Sequence, residues 1–340
     1  MKTSLNLVHV CVRPNARQTS PFIKLSALSV LAFALSLLPA AAKSIQVGNL
    51  PGPIAADPVR DFVYVGTNYF FPPTGSGTIV AIDTLTNTTS YTLSVGAVPL
   101  GVAVSPDGQF LYLSTSRDTL DVFSLDSRQF LYSYTTGSLP SIPGVSPDGS
   151  MVYVPNTLSG TVTAIESGVV STIKTGGNPE QVAFTPDGKN AYVSTADSAV
   201  VINTATHAVT PISGLTEGGF GLAITPDGAT VYVTSNTDQI VYAIATSNNS
   251  VTPIVIVART MEVVNYPAVD VTGKFLYVPA TPSQVFVIET KNNTVLGEPI
   301  AVGNGPTQVA LKSPPGLVVP PEIGYCTNNG STTVSVFKAK

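Results

Sequence analysis

The sequence predicts an all-β chain folded as one seven-bladed β-propeller of four-stranded blades, its ring closed by an N-terminal strand that joins the C-terminal blade. Three observations predict it. A tyrosine followed by a small apolar residue recurs seven times, at Tyr64, Tyr112, Tyr153, Tyr192, Tyr232, Tyr277 and Tyr325, in steps of 39 to 48 residues. That is close to the ~40–45 residues of a four-stranded propeller blade. A proline-containing turn precedes most of these tyrosines. Charged residues make up 11% of the chain, against roughly 25% in an ordinary globular protein, and Val, Thr, Ser, Gly, Pro and Ala take their place, a composition suited to strands and tight turns. No amphipathic helical stretch interrupts the pattern.

The first 42 residues differ from the rest. Lys2, Arg13, Arg17 and Lys24 stand without any acidic residue, and an apolar run from Leu25 closes on Pro39-Ala40-Ala41-Ala42. Small residues after such a run are what a signal peptidase accepts, so residues 1–42 read as a signal peptide cleaved before Lys43 and residues 43–340 as the mature domain. The alternative is an uncleaved anchor, for which 18 mostly apolar residues just suffice. No later stretch is apolar enough to cross a bilayer. A secreted, periplasmic or cell-surface location follows.

Without that segment the net charge goes from −4 to −8. A mildly acidic chain has little attraction for nucleic acid or anionic lipid, and neither is expected as a partner. Cys326 is then the only cysteine, so no internal disulfide forms. It takes the place held by Val or Leu in other repeats and reads as a buried apolar residue.

Each repeat opens with strand a, which carries a small residue in every copy: Ala55, Ala103, Gly144, Ala183, Ala223, Ala268 and Ala310. Innermost strands that converge on an axis leave room for nothing larger. A turn follows, as in Ser105-Pro106-Asp107-Gly108, Ser146-Pro147-Asp148-Gly149, Thr185-Pro186-Asp187-Gly188 and Thr225-Pro226-Asp227-Gly228, with worn copies at Asp57-Pro58-Val59-Arg60 and Asp270-Val271-Thr272-Gly273. Proline sets φ, Asp caps its own backbone and Gly accepts positive φ. These aspartates lie one to a blade, so turn chemistry explains them and metal binding does not. The tyrosine strand b comes next. Strand c is typified by Thr78-Ile79-Val80-Ala81-Ile82-Asp83 and strand d by Val169-Val170-Ser171-Thr172-Ile173-Lys174.

The last repeat stops after strand c, while the mature chain opens with Ser44-Ile45-Gln46-Val47-Gly48, a strand d without a blade. Pairing the two closes the ring and removes exposed edges.

These motifs resemble the YVTN-type propeller repeat of bacterial and archaeal surface proteins, across residues 44–340. Its nearest local copies are Tyr232-Val233-Thr234-Ser235-Asn236, Tyr325-Cys326-Thr327-Asn328-Asn329 and Tyr64-Val65-Gly66-Thr67-Asn68. The resemblance implies a scaffold and leaves the ligand open. The chain has no Trp for a WD or quinoprotein docking motif and no kelch-style Gly-Gly doublet. Seven-bladed lactonases share the expected architecture.

Little in the sequence suggests catalysis. The one histidine after the signal, His207, falls in a c-to-d turn and reads as a solvated turn residue. No haem-attachment motif, histidine pair or phosphate-cradling loop occurs, so no catalytic residue, metal or cofactor is expected. Four Asn-x-Ser/Thr sequons, at Asn87, Asn248, Asn292 and Asn329, carry no weight in a prokaryote.

Columns that repeat are scaffold, so specificity is expected where they disagree. The starts of the seven strands a read Gly52-Pro53, Leu100-Gly101, Ser141-Ile142, Glu180-Gln181, Phe220-Gly221, Asn265-Tyr266 and Thr307-Gln308. Glu180, Gln181, Phe220, Asn265, Tyr266, Thr307 and Gln308 are therefore expected to ring the mouth of the central channel. Phe70 and Phe71, in the long connection from Tyr69 to Gly75, are expected on the same face, as is the connection from Val257 to Glu262. Exposed aromatics beside prolines mark contact surfaces. The equal alternative is that both phenylalanines fold back over the blade edge. Pro314 to Pro321 reads as a stiff spacer on the opposite face.

The expected function is that of an exported binding or cell-surface structural module, a monomer taking a protein, glycan or small molecule at the channel mouth. The alternative is a lactonase-like hydrolase using Glu180 and a bound divalent metal.

Overall fold

The structure, a computed structural model, describes residues 42–340 apart from 71, 74, 217, 236, 238, 257–263 and 314–321. The signal segment, the Val257 to Glu262 connection and the Pro314 to Pro321 spacer thus lie outside the described residues, save for Ala42. Within them every regular element is a strand, and these form seven antiparallel sheets, one per repeat. The blades are arranged as a β-propeller.

Each blade runs a, b, c, d. In the second these are Pro99–Val104, Phe110–Thr115, Thr119–Ser124 and Gln129–Thr135. Strands b and c are buried on both faces, as in Thr230–Ser235 and Ile240–Ala245, which explains their near-continuous runs of Val, Ile, Tyr and Ala. Strand d is the wet outer edge. Blade six departs from four whole strands: its outer strand breaks into Thr294–Val295 and Ile300–Ala301, both pairing Gln284–Glu289. Gly297, at a φ of 50°, and Pro299, which has no N–H to donate, lie at the break.

Register gives the tyrosine column its meaning. In all seven blades the tyrosine stands directly opposite the small residue of strand a, from Ala55 facing Tyr64 to Ala310 facing Tyr325. Crowding toward the axis acts as well, since a Cβ on Gly144 would lie 2.7 Å from the Val182 carbonyl of the next blade. Every column tyrosine but the partly buried Tyr112 is buried, and three of the hydroxyls reach across to the c-to-d turn of the following blade. Tyr192 donates to Asn249 at 3.0 Å, Tyr232 to Asn293 at 3.0 Å and Tyr325 to Asn87 at 2.6 Å. Those asparagines hold φ between 53° and 57°, a left-handed conformation that Asn tolerates better than most residues. The Asn residues of the turns thus serve backbone geometry and inter-blade bonding together.

The Ser/Thr-Pro-Asp-Gly turns are built as their residues dictate. Ser105 Oγ donates to Asp107 Oδ1, the Asp107 carboxylate also accepts the Gln109 amide, and the Gly108 amide closes on the Ser105 carbonyl. Each turn also rests on its neighbour: a Cβ on Gly228 would lie 2.9 Å from Pro186 Cδ, and one on Gly273 3.2 Å from Pro226 Cδ.

The ring closes as the termini predict. Lys43–Gln46 pairs antiparallel with Thr333–Lys338, Ile45 opposite Val334, and blade seven reads Pro306–Lys312, Ile323–Asn328, Thr333–Lys338 and this N-terminal strand. Ile45 and Val47 are buried against Val334 and Val336. Cys326 is fully buried, and burial pushes its thiol well above the ordinary range.

Candidate functional site

Strand a of each blade begins on the face that also carries the d-to-a and b-to-c connections. What fixes these starting residues is a set of inter-blade bonds. Two residues after the column tyrosine, a hydroxyl donates to the carbonyl of the next blade's first strand-a position. The pairs are Ser114 to Ser141 at 2.7 Å, Ser194 to Phe220 at 2.7 Å, Thr234 to Asn265 at 3.0 Å and Thr327 to Gly52 at 2.8 Å. Blades three and six have Pro155 and Pro279 at that place and use backbone instead: the Ile142 amide donates to the Glu180 carbonyl at 3.2 Å, and the Tyr266 amide to the Thr307 carbonyl at 3.0 Å. Each such bond contributes about 1 kcal/mol and, more usefully, sets the direction of the side chain it carries.

Behind this ring of carbonyls lies a cavity of about 500 Å³. Its aromatic wall is Tyr69, Phe70, Phe220 and Tyr266; aliphatic surface comes from Leu100, Leu139, Pro140 and Leu158; Glu180, Ser141, Thr157, Asn178 and Asn329 supply polar groups. Such a volume, mostly apolar with a few convergent polar atoms, is that of a small-molecule site. Phe220 and Tyr266 stack with centroids 4.5 Å apart. The Ser141 hydroxyl donates to Glu180 Oε2 at 3.3 Å, beside the Tyr69 and Tyr266 side chains of the same lining.

Glu180 dominates the electrostatics. Burial raises its carboxyl to about 7, opposed only by the Ser141 hydrogen bond. Among the described residues no cation pairs with it. Tyr69 is pushed up to about 12 and Tyr266 well above the ordinary tyrosine range, first by burial and then by neighbouring charge, so both stay neutral in ordinary conditions. Among the described residues no three His, Cys, Asp or Glu side chains converge to hold a metal ion.

The walls of the cavity are stiff. Leu139 holds a φ of 52°, a left-handed conformation that costs a leucine ~1–2 kcal/mol. Its amide donates to Asp118 Oδ1 at 2.8 Å, and its carbonyl accepts the Thr157 amide at 2.9 Å. Leu50 repeats the arrangement with Tyr69 at a φ of 46°. Asn329 Nδ2 donates to the Tyr69 carbonyl at 2.9 Å, tying blade seven to blade one at the rim.

Of the residues expected at the mouth, Glu180, Phe220, Tyr266 and Phe70 line the cavity, with Phe70 still 37% exposed. Phe71 lies outside the described residues. The other four bond to backbone. Gln181 Oε1 accepts the Leu222 amide at 2.7 Å and Gln308 Oε1 the Ile54 amide at 3.1 Å, each a link to the next blade. Asn265 Nδ2 donates to the Pro306 carbonyl at 2.7 Å, and Thr307 Oγ1 to the Gly305 carbonyl at 3.2 Å. Tyr69 comes from the long connection expected on this face, and Thr157, Leu158 and Asn329, for which the sequence carries no signal, join it from the matching b-to-c connections, four or five residues after their tyrosines. His207 sits in its c-to-d turn at a φ of 57°, but it is half-buried rather than solvated, with Nε2 2.7 Å from Glu166 Oε1.

Solved structures of similar shape agree with this architecture. The β-propeller domain of Cps50 (Swd1) from Myceliophteria thermophila superposes with a TM-score of 0.73 at 10% identity, covering 88% of this chain and 99% of that one. Kuenenia stuttgartiensis hydrazine synthase gives 0.70 at 21% identity, covering 86% of this chain and 96% of that one. At such identity the likeness is one of fold. No protein-family model and no curated protein matches the sequence.

Proposed function

We propose that the chain is an exported binding module of the YVTN repeat type that takes a small ligand in the channel-mouth cavity. The observation that carries this reading is the cavity itself, in which inter-blade bonds hold an aromatic wall and one partly buried carboxyl that has no cationic partner among the described residues. The propeller supplies rigidity, and a rigid site loses little entropy on binding. The signal-like residues 1–42 support export.

A panel of cationic, anionic and neutral fragments, followed by ligand-observed NMR, tests the site. Fragments that bind wild type are expected to lose at least tenfold in affinity to Phe70→Ser/Phe220→Ala, a change confined to the wall. Unchanged affinity in a folded double variant removes the cavity as the site. Sequencing the N-terminus of protein recovered from cell fractions tests export, with Lys43 as the expected first residue. The hydrolase reading finds support in the raised Glu180 carboxyl, a group able to take or give a proton near neutrality. It predicts metal-dependent turnover of a lactone panel that Glu180→Gln abolishes.

A further inference from the structure

Resting on the cavity as the binding site, we propose that its ligand is a small organic cation, a protonated amine or quaternary ammonium, held between the Glu180 carboxylate and the aromatic wall. Three features of the cavity favour a cation. Tyr69, Phe70, Phe220 and Tyr266 form its wall, and aromatic faces attract ammonium groups most strongly where water is excluded. Among the described lining residues Glu180 is the only acidic side chain, and none is a Lys, Arg or His to balance it. Ser141 gives it a single long hydrogen bond, which leaves the remaining acceptor positions of the carboxylate for a ligand.

Competing ligand classes fit less well. An anion would enter beside a partly buried carboxyl, with no basic group among the described lining residues to receive it. A neutral ligand would leave the carboxylate with the same desolvation that raises its proton affinity at present. A cation removes that penalty and restores the ionised form. Binding should therefore release a proton around neutral pH. Among the described residues the titratable groups facing Glu180 are Tyr69 and Tyr266, both neutral throughout that range, so the dependence belongs to Glu180.

Choline and 3,3-dimethylbutan-1-ol, its uncharged carbon isostere, provide the test, with dissociation constants read by titration NMR on the full chain at pH 5.5 and pH 8. Wild type is expected to bind choline at least tenfold more tightly than the isostere at pH 8. Choline binding should weaken on the order of tenfold at pH 5.5, as Glu180 takes up its proton, while isostere binding stays flat. In Glu180→Gln the preference for choline should vanish. The wild-type comparison needs no variant, so the inference stays testable even if that substitution disturbs the fold. Equal affinities for the two probes, or choline binding that does not change with pH, would overturn it. Binding of neutral or anionic fragments at Phe220 without choline binding would overturn the cation alone and leave the cavity standing. Absence of every fragment from the cavity would remove both readings.

Discussion

The Tyr325 hydroxyl donates to Asn87 Oδ1 at 2.6 Å, so the last blade grips the c-to-d turn of the first across a sequence separation of 238 residues. The same bond joins blades four to five and five to six. Tyr325→Phe should cost about 1 kcal/mol of unfolding free energy. Asn87→Gly keeps the left-handed turn and removes the acceptor. In a denaturant-based double-mutant cycle the two losses should fail to add by about that same amount.

The N-terminal strand seals the ring. Deleting residues 43–47 uncovers Val334 and Val336 and removes the burial of Ile45 and Val47, worth roughly 3–6 kcal/mol between them. Calorimetry should show a clear fall in Tm, and light scattering an increase in association through the freed edge of Thr333–Lys338.

Cys326 reports the same closure chemically. Its thiol is fully buried, and burial favours the protonated, unreactive form. In a Cys11→Ser background a disulfide reagent should label folded protein only as fast as blade seven opens. Deleting residues 43–47 should speed that labelling more than Ser194→Ala, which loosens blades four and five instead.

Stability should respond to pH in two opposite senses. The Glu180 carboxyl is raised to about 7 in the folded chain, above its unfolded value, so the folded state binds the extra proton. Stability then declines as pH rises from about 4.5 to 7, by on the order of 2–3 kcal/mol, and levels off beyond. Glu180→Gln should flatten most of that slope; Glu322, also raised by burial, keeps part of it. The turn aspartates act the other way. Asp107, Asp148, Asp187 and Asp227 are held below the usual range, first by the Ser or Thr hydroxyl two residues earlier. Their stabilisation is present above the unfolded carboxylate value and fades as pH falls through the folded one. Urea midpoints from pH 3 to 8 should show both limbs.

The hydroxyl clamps give a further comparison. Thr327→Val removes the bond to the Gly52 carbonyl at the ring closure, and Thr234→Val the bond to Asn265. Each should cost about 1–2 kcal/mol, since a buried carbonyl loses its donor. The equivalent positions in blades three and six, Pro155 and Pro279, never had one.

How far the sequence reveals this molecule depends on what repeats. Tyrosines, small residues and turns announce themselves because every blade needs them, and the unpaired Ser44 to Gly48 segment announces the closure. The hydroxyl column is harder to see because Gly66, Pro155 and Pro279 interrupt it. The mouth is harder again. Strand alternation tells that Gln181 and Gln308 begin strand a beside Glu180 and Thr307, but not that their amides turn to the next blade's backbone. Nor does it tell that the connections after Tyr64, Tyr153 and Tyr325 bring Tyr69, Thr157 and Asn329 to one cavity. Those contacts join residues far apart in the chain, and only the closed ring brings them together.

In four turns the glycine rests on the proline of the turn before it, Gly149 over Pro106, Gly188 over Pro147, Gly228 over Pro186 and Gly273 over Pro226, while Gly108 meets Val59 and Arg60. A blade therefore offers the same knob on one flank that it receives on the other. A copied blade would arrive with both halves of its neighbour contact already made. Growth of such a ring by duplication needs no new interface, only a closing strand able to reach the final edge.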